Sequence, residues 1–209
     1  MVTMPLPSET TRRNVLYIAT ATLAVAGLAA AAWPFIDQMN PDARVQAAGE
    51  IVDVDLATLH PGELRVLRWH ELPIFVARRM EVALKAMQAD DFVRVLIDPN
   101  SDQRQQPDYA KNWHRSIDPT IAVLVGVCTY CGCIPHYLAD ESDPFLGGPV
   151  GGYLCPCCAS HFDPAGRVHL GIARANLRVP PYDFSDPTTI RIGKNPRGAD
   201  YVFTSMGGG

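Results

Sequence analysis

The chain has 209 residues, a formal net charge of -4, 18 prolines and 16 glycines, enough for one domain of ordinary size with a tail left over. No Lys/Arg-rich run breaks the acidic balance, which excludes the basic stripe of a nucleic-acid-binding surface, and the proline and glycine content suits short strands and many turns. Six cysteines are as compatible with metal ligation as with disulfides, and spacing has to separate the two.

Residues 1–14 form a tail carrying the twin arginines Arg12 and Arg13, and the following run from Val15 to Ile36, "VLYIATATLAVAGLAAAAWPFI", has no charged residue. Roughly 22 residues at about 1.5 Å each span about 30 Å of hydrocarbon, so 15–36 is predicted as a transmembrane helix. Arg12 and Arg13 before it and Asp37 after it put the tail in the cytoplasm and the rest on the far side, which in a bacterial inner membrane is the periplasm. "TTRRNVLY" also has the form of a twin-arginine export signal. The alternative is a signal peptide cleaved near Ala29 to Ala32.

Residues 37–50, "DQMNPDARVQAAGE", are polar, small and without periodicity, and read as a tether. A head then runs over 51–209. Val52, Val54 and Leu56 alternate; Pro61-Gly62 marks a turn; Leu64 to Trp69 and Ile74 to Ala77 predict a hairpin. Met80, Leu84 and Met87 recur at helical spacing, predicting a short helix over the sheet, its stripe a core face rather than a cofactor contact. "PTIAVLVGV", 119–127, is a buried-strand candidate that delivers the chain to Cys128. "GGPVGGYL" gives a Gly-rich turn and a short strand ending at Cys155, "FDPAGRV" a hairpin turn, and the closing "MGGG" a frayed end.

All six cysteines lie in "CTYCGC", 128–133, and "CPCCAS", 155–160. Cys128 with Cys131 and Cys155 with Cys158 make two Cys-x-x-Cys knuckles separated by roughly 23 residues, four thiolates able to meet around a zinc or iron ion. The competing reading is disulfide pairing, for which six cysteines allow about 15 connectivities.

From Met39 to Gly193 the chain resembles the Rieske iron-sulfur subunits of ubiquinol:cytochrome c reductase (cytochrome bc) complexes. The landmarks stand in order: the twin-Arg-preceded anchor, "DQMNP", "PIFVARR", "C-T-x-x-G-C", "GGYLCPC", "SHFDPAGRV", "NLRVPPYDF" and "IRIG". The resemblance implies a mainly antiparallel β head with a rubredoxin-like cluster-binding subdomain, about 125–180. It further implies a 2Fe-2S cluster and cytochrome b and cytochrome c1 subunits as partners in a dimeric respiratory-chain complex fed by ubiquinol. By position, Cys128 and Cys155 would ligate the cluster and Cys133 and Cys157 would close a disulfide. Ser160 would donate a hydrogen bond to the cluster.

This chain departs from the family where the cluster's two histidines belong. Tyr130 stands at the first and Cys158 at the second, while Cys131 replaces the apolar residue that shields the cluster. Phe162 lacks the hydroxyl of the family's tyrosine, Ala159 replaces glycine, and Ile172 and Arg174 alter the Pro-rich loop to "GIARANL". The changes convert the two Cys/His loops into two knuckles resembling those of rubredoxin, giving the ligand set Cys128, Cys131, Cys155 and Cys158 with Ser160 and Tyr130 beside it. Exchanging two neutral imidazoles for two thiolates moves a binuclear centre from about -150 to +300 mV toward about -400 mV, and removes the groups that take a quinol proton. Two functions follow as expectations: an electron-transfer subunit with a 2Fe-2S cluster on four cysteines, or a divergent paralogue with a single iron or a structural zinc and no quinol oxidation. His136 and His161 are the substitute histidines nearest the blocks.

Overall fold

The computed structural model describes residues 12–38, 51–103, 105–139 and 151–204. Most of the N-terminal tail, the tether from 39 on, the Gly-rich turn at 147–150 and the closing "MGGG" lie outside the described residues.

Helix α1 (Arg12–Asp37) is built mostly from alanine, leucine and other apolar residues, and its 24 residues Asn14–Asp37 are long and apolar enough to cross a membrane. At about 1.5 Å per residue it is about 36 Å long, sufficient to span a bilayer. The Thr20 and Thr22 hydroxyls donate back to the carbonyls of Leu16 and Ile18, so both threonines are satisfied within the helix where hydrocarbon offers no partner. Pro34 falls near the end of the helix.

The head, a second compact unit from Ala47 onward, is mainly β. Its strands are β1 (Val52–Asp55), β2 (Leu64–Trp69), β3 (Leu72–Arg78), β4 (Ile121–Val125), β5 (His136–Leu138), β6 (Gly152–Leu154), β7 (His161–Phe162), β8 (Val168–Leu170), β9 (Tyr182–Asp186) and β10 (Thr189–Ile192). Among the described residues they form three antiparallel sheets, in the orders β1-β10-β9, β2-β3-β4 and β5-β6-β7-β8. The hairpin β2–β3 turns on His70 and Glu71, whose φ of 48° and 60° match a two-residue turn twisted with its strands. Every residue of β4 is buried, as its uninterrupted apolar run requires of a strand covered on both faces.

The main core joins β3 and β4 to the third sheet: Phe75 stacks on Tyr153 at 5.6 Å between ring centroids, and Phe162, Cys128 and Cys155 belong to the same buried cluster. Burial of each such aromatic stabilises the fold by about 1.5–3 kcal/mol. The helix expected around Met80 to Met87 forms as α2 (Glu81–Ala86), followed by α3 (Asp90–Arg94), which the sequence pattern did not announce. Met87 is buried, but in a separate small cluster with Phe92, Leu96 and Ala165. That cluster props the "FDPAGRV" turn; it is not part of the main sheet core.

Two buried arginines fix that turn. Arg79 donates to the carbonyls of Pro164 (3.0 Å), Pro119 (2.7 Å) and His114 (2.7 Å), and Arg115 to those of Ala165 (3.0 Å) and Leu177 (2.7 Å). Desolvation lowers the pKa of both guanidinium groups, that of Arg115 to about 9. Their hydrogen bonds to so many carbonyls compensate the burial of charge.

Candidate metal centre

The first cysteine loop leaves β4 over the ring of Phe75, and Gly126 makes this possible: a Cβ there would lie 2.4 Å from that ring. The second leaves the end of β6. From there the two loops follow one hydrogen-bonding plan. The N–H of Cys128 donates to the Cys133 carbonyl (2.8 Å) and that of Gly132 to the Cys128 carbonyl (3.0 Å); in the second loop Cys155 donates to Ser160 (2.9 Å) and Ala159 to Cys155 (3.0 Å). The residue after the second cysteine of each knuckle is left-handed, Gly132 at φ 76° and Ala159 at φ 50°. Each tight turn brings the i and i+3 sulfurs to one side and points backbone N–H groups at the first of them: those of Tyr130 and Cys131 at Cys128, those of Cys157 and Cys158 at Cys155.

The loops face one another and are tied by the Cys133–Cys157 disulfide, with a Cα–Cα distance of 6.4 Å. Beside it the Sγ atoms of Cys128, Cys131, Cys155 and Cys158 all lie within 4.8 Å of one another. Cys128 and Cys155 are buried and form the inner side; Cys131 is exposed and Cys158 half-buried on the outer side.

Burial pushes the Cys128 thiol up to about 12 and raises that of Cys155. Burial also works upward on Cys158, but hydrogen bonding, first from Ser160 and then from Cys155, outweighs it and brings that thiol down to about 7. Buried thiols of raised pKa become thiolates when a cation compensates their charge.

Ser160 is fully buried, with its hydroxyl 3.2 Å from Cys158 Sγ, and accepts the Ala173 N–H at 3.0 Å. Tyr130 reaches the site through its backbone only, since its side chain stands in solvent at 62% exposure. The structure adds Thr129, whose hydroxyl donates to the Ala175 carbonyl at 2.6 Å and fastens the first loop to the segment after β8. A threonine inside a cysteine block carries no sequence signal for that role. Among the described residues, the groups close enough to hold a metal contain cysteines alone, and neither His136 nor His161 joins them.

A metal–sulfur bond of about 2.3 Å sets the edge of a tetrathiolate tetrahedron at about 3.8 Å. The four thiols fit that frame with small side-chain adjustments. A binuclear cluster spreads its terminal thiolates over two irons, with the pairs on different irons about 5 Å or more apart; the sulfurs as placed do not fit it.

A family model described as "Ubiquitinol-cytochrome C reductase Fe-S subunit TAT signal" matches residues 7–42. The chain is 42% identical to the "Ubiquinol-cytochrome c reductase iron-sulfur subunit" of Blastochloris viridis over 186 residues, 89% of this chain and 94% of the relative. Proteins of the same name from Allochromatium vinosum and Bradyrhizobium diazoefficiens are 41% and 39% identical, over 88% and 92% of this chain and 89% and 100% of theirs. Among solved structures, a chain of "Hyperthermophilic respiratory Complex III" aligns with a TM-score of 0.45 and 21% identity, over 83% of this chain and 98% of that one.

Proposed function

Because the chain belongs to the family of ubiquinol-cytochrome c reductase iron-sulfur subunits, we propose that it is a membrane-anchored electron-transfer subunit of a quinol:cytochrome c reductase. Its partners are the cytochrome b and cytochrome c1 subunits of a dimeric complex in a bacterial inner membrane. Helix α1 is the single anchor, and the arginines at its start, ahead of the apolar run, keep the head on the periplasmic side. Ubiquinol is the source of the electrons.

The observation that carries this reading is the convergence of four thiols at the edge of the head, with Cys128 and Cys155 rooted in the core and Cys131 exposed. A redox ion held there is shielded on its inner side and open on its outer side to a docked partner. The bound metal supplies the one-electron chemistry. The chain's own residues hold it, donate N–H bonds to its inner sulfurs and orient Cys158 through Ser160. Metal-bound thiolates replace both family imidazoles, so the quinol proton is accepted by groups outside this centre.

The compact spacing of the sulfurs also favours a second reading, in which the same ligands hold a redox-silent zinc that locks the two loops together. The two separate on the intact protein. The full chain, solubilised from its membrane, is expected to co-purify with b- and c-type haem and to show a centre that takes up one electron reversibly. Haem association without any reducible non-haem centre would favour the zinc reading; isolation free of haem would defeat membership of the complex.

A further inference from the structure

We infer that Cys128, Cys131, Cys155 and Cys158 hold a single tetrahedral ion, iron or zinc, without bridging sulfide. The inference rests on the reading of the head as metal-carrying, and it changes the nature of the centre that the family resemblance implies.

The pattern of sulfur contacts decides it. In a binuclear cluster seated as in the family, the inner cysteines Cys128 and Cys155 would share one iron and the outer ligands the other, so every inner-to-outer separation would span both irons. The two close contacts here are both inner-to-outer: Cys131 to Cys155 at 3.3 Å and Cys128 to Cys158 at 3.6 Å. They also cross between the loops. In a tetrahedron all six edges are equal at about 3.8 Å, and contacts of this length across both diagonals are what a single ion requires.

The local backbone agrees. Both loops present ligands at i and i+3, carry the same pair of backbone hydrogen bonds and place a left-handed residue after the second cysteine. The family's blocks, with ligands at i and i+2 in one loop and i and i+3 in the other, are unequal; these are equivalent. Two equivalent bidentate turns facing one another converge on one point. The Cys133–Cys157 bond, next to Cys158 and two residues from Cys131, holds the two turns facing one another. Binding is a simple exchange: four thiols release four protons, and one divalent cation takes the four sulfurs, leaving a net charge of about -2 on the zinc or ferrous site.

The test uses the full chain, purified in detergent without oxygen. Iron, zinc and acid-labile sulfide are counted per chain, and the metal-free protein is titrated with cobalt(II) as the probe. One iron or one zinc without sulfide, with cobalt saturating at one ion per chain and giving the visible bands of a tetrahedral tetrathiolate, is the expected result. Cys131→Ser and Cys158→Ser should each lose the four-sulfur spectrum, with the native Cys133–Cys157 bond showing that the variant has folded. Two irons with two sulfides per chain would overturn the inference. So would a metal-free protein with disulfides joining Cys131 to Cys155 and Cys128 to Cys158. One zinc upholds the single-ion site while defeating electron carriage, and absence of haem partners defeats complex membership without touching the site, so the two readings fail separately.

Discussion

Arg167 Nε donates to Asp163 Oδ2 at 2.7 Å with both side chains withdrawn from solvent, closing the turn that follows the second cysteine loop. The same carboxylate accepts the N–H groups of Ala165 and Arg167. Removal of one partner from a buried pair strands the other charge, at about 3–5 kcal/mol. Asp163→Asn is expected to destabilise the chain by that order in denaturant unfolding. A loss below about 1 kcal/mol would mean that the guanidinium is held well enough by other groups, such as the Phe92 ring beneath it.

The equivalent left-handed positions give a matched pair of substitutions. Ala159 at φ 50° carries a Cβ where one is disfavoured by about 1–2 kcal/mol, partly offset by the smaller entropy of its unfolded chain. Ala159→Gly is therefore expected to stabilise the protein by about 0.5–1 kcal/mol. Gly132→Ala, with open space around the new methyl, is expected to destabilise it by about as much. Thermal unfolding of the two variants should shift in opposite directions; a shared sign would show that contacts, not backbone conformation, govern these positions.

The two kinds of cysteine should separate by readout. Cys133→Ser opens a covalent loop of 24 residues, worth about 3 kcal/mol of stability, while the protein still takes up its metal when the ion is in excess. Cys131→Ser and Cys158→Ser should give sub-stoichiometric metal by elemental analysis. Equal metal loss from all three would sink the division of roles.

Ser160 touches a ligand and is fully buried. Partners of this kind tune affinity by about 10–100-fold, so Ser160→Ala should lower the metal affinity by that order in competition with a chelator while Cys128, Cys131, Cys155 and Cys158 all remain. An unchanged affinity would reduce the hydroxyl to a prop for the Ala173 N–H.

Desolvation, with the neighbouring Arg79 charge next and Asp118 opposing, depresses the His114 pKa to about 4, against about 6.5 in an unfolded chain. The unfolded state binds the proton more tightly, so this contribution to stability is complete above pH about 6.5 and is lost as pH falls toward about 4. Unfolding midpoints should fall over that window, and His114→Gln should flatten the slope. An identical slope in the variant would place the effect on carboxylates instead.

Much of this architecture was legible before any coordinates. Val54 and Leu56 of the period-two run, Ile74 to Ala77 of the hairpin and the apolar strand before Cys128 are buried as their pattern assigns, whereas Val66 in the Leu64 to Trp69 run stays exposed. The two knuckles announce four converging sulfurs by spacing alone. What escaped depends on distance along the chain. "PIFVARR" ends in two arginines that look like a solvated strand end, yet Arg79 is buried because carbonyls from Pro119 and Pro164 arrive from remote loops to meet it. Met87 is buried as the helical stripe predicts, but its partners Phe92, Leu96 and Ala165 come from the next helix, the segment just after it and a remote turn, which helical spacing could not name. The unequal exposure of the four thiols, and the cross-loop pairing of their closest contacts, exist only once the loops face each other.

The Cys133–Cys157 bond makes two bidentate turns into one tetradentate chelator. Without it, an ion held by one loop would have to wait for the other to arrive by diffusion of the chain; with it, the second pair of donors is already present at an effective concentration of about millimolar or higher. Much of the ordering entropy of chelation is then met by the Cys133–Cys157 bond rather than by the ion. The kinetic lability of the centre thus becomes a property of the covalent chain as much as of the metal.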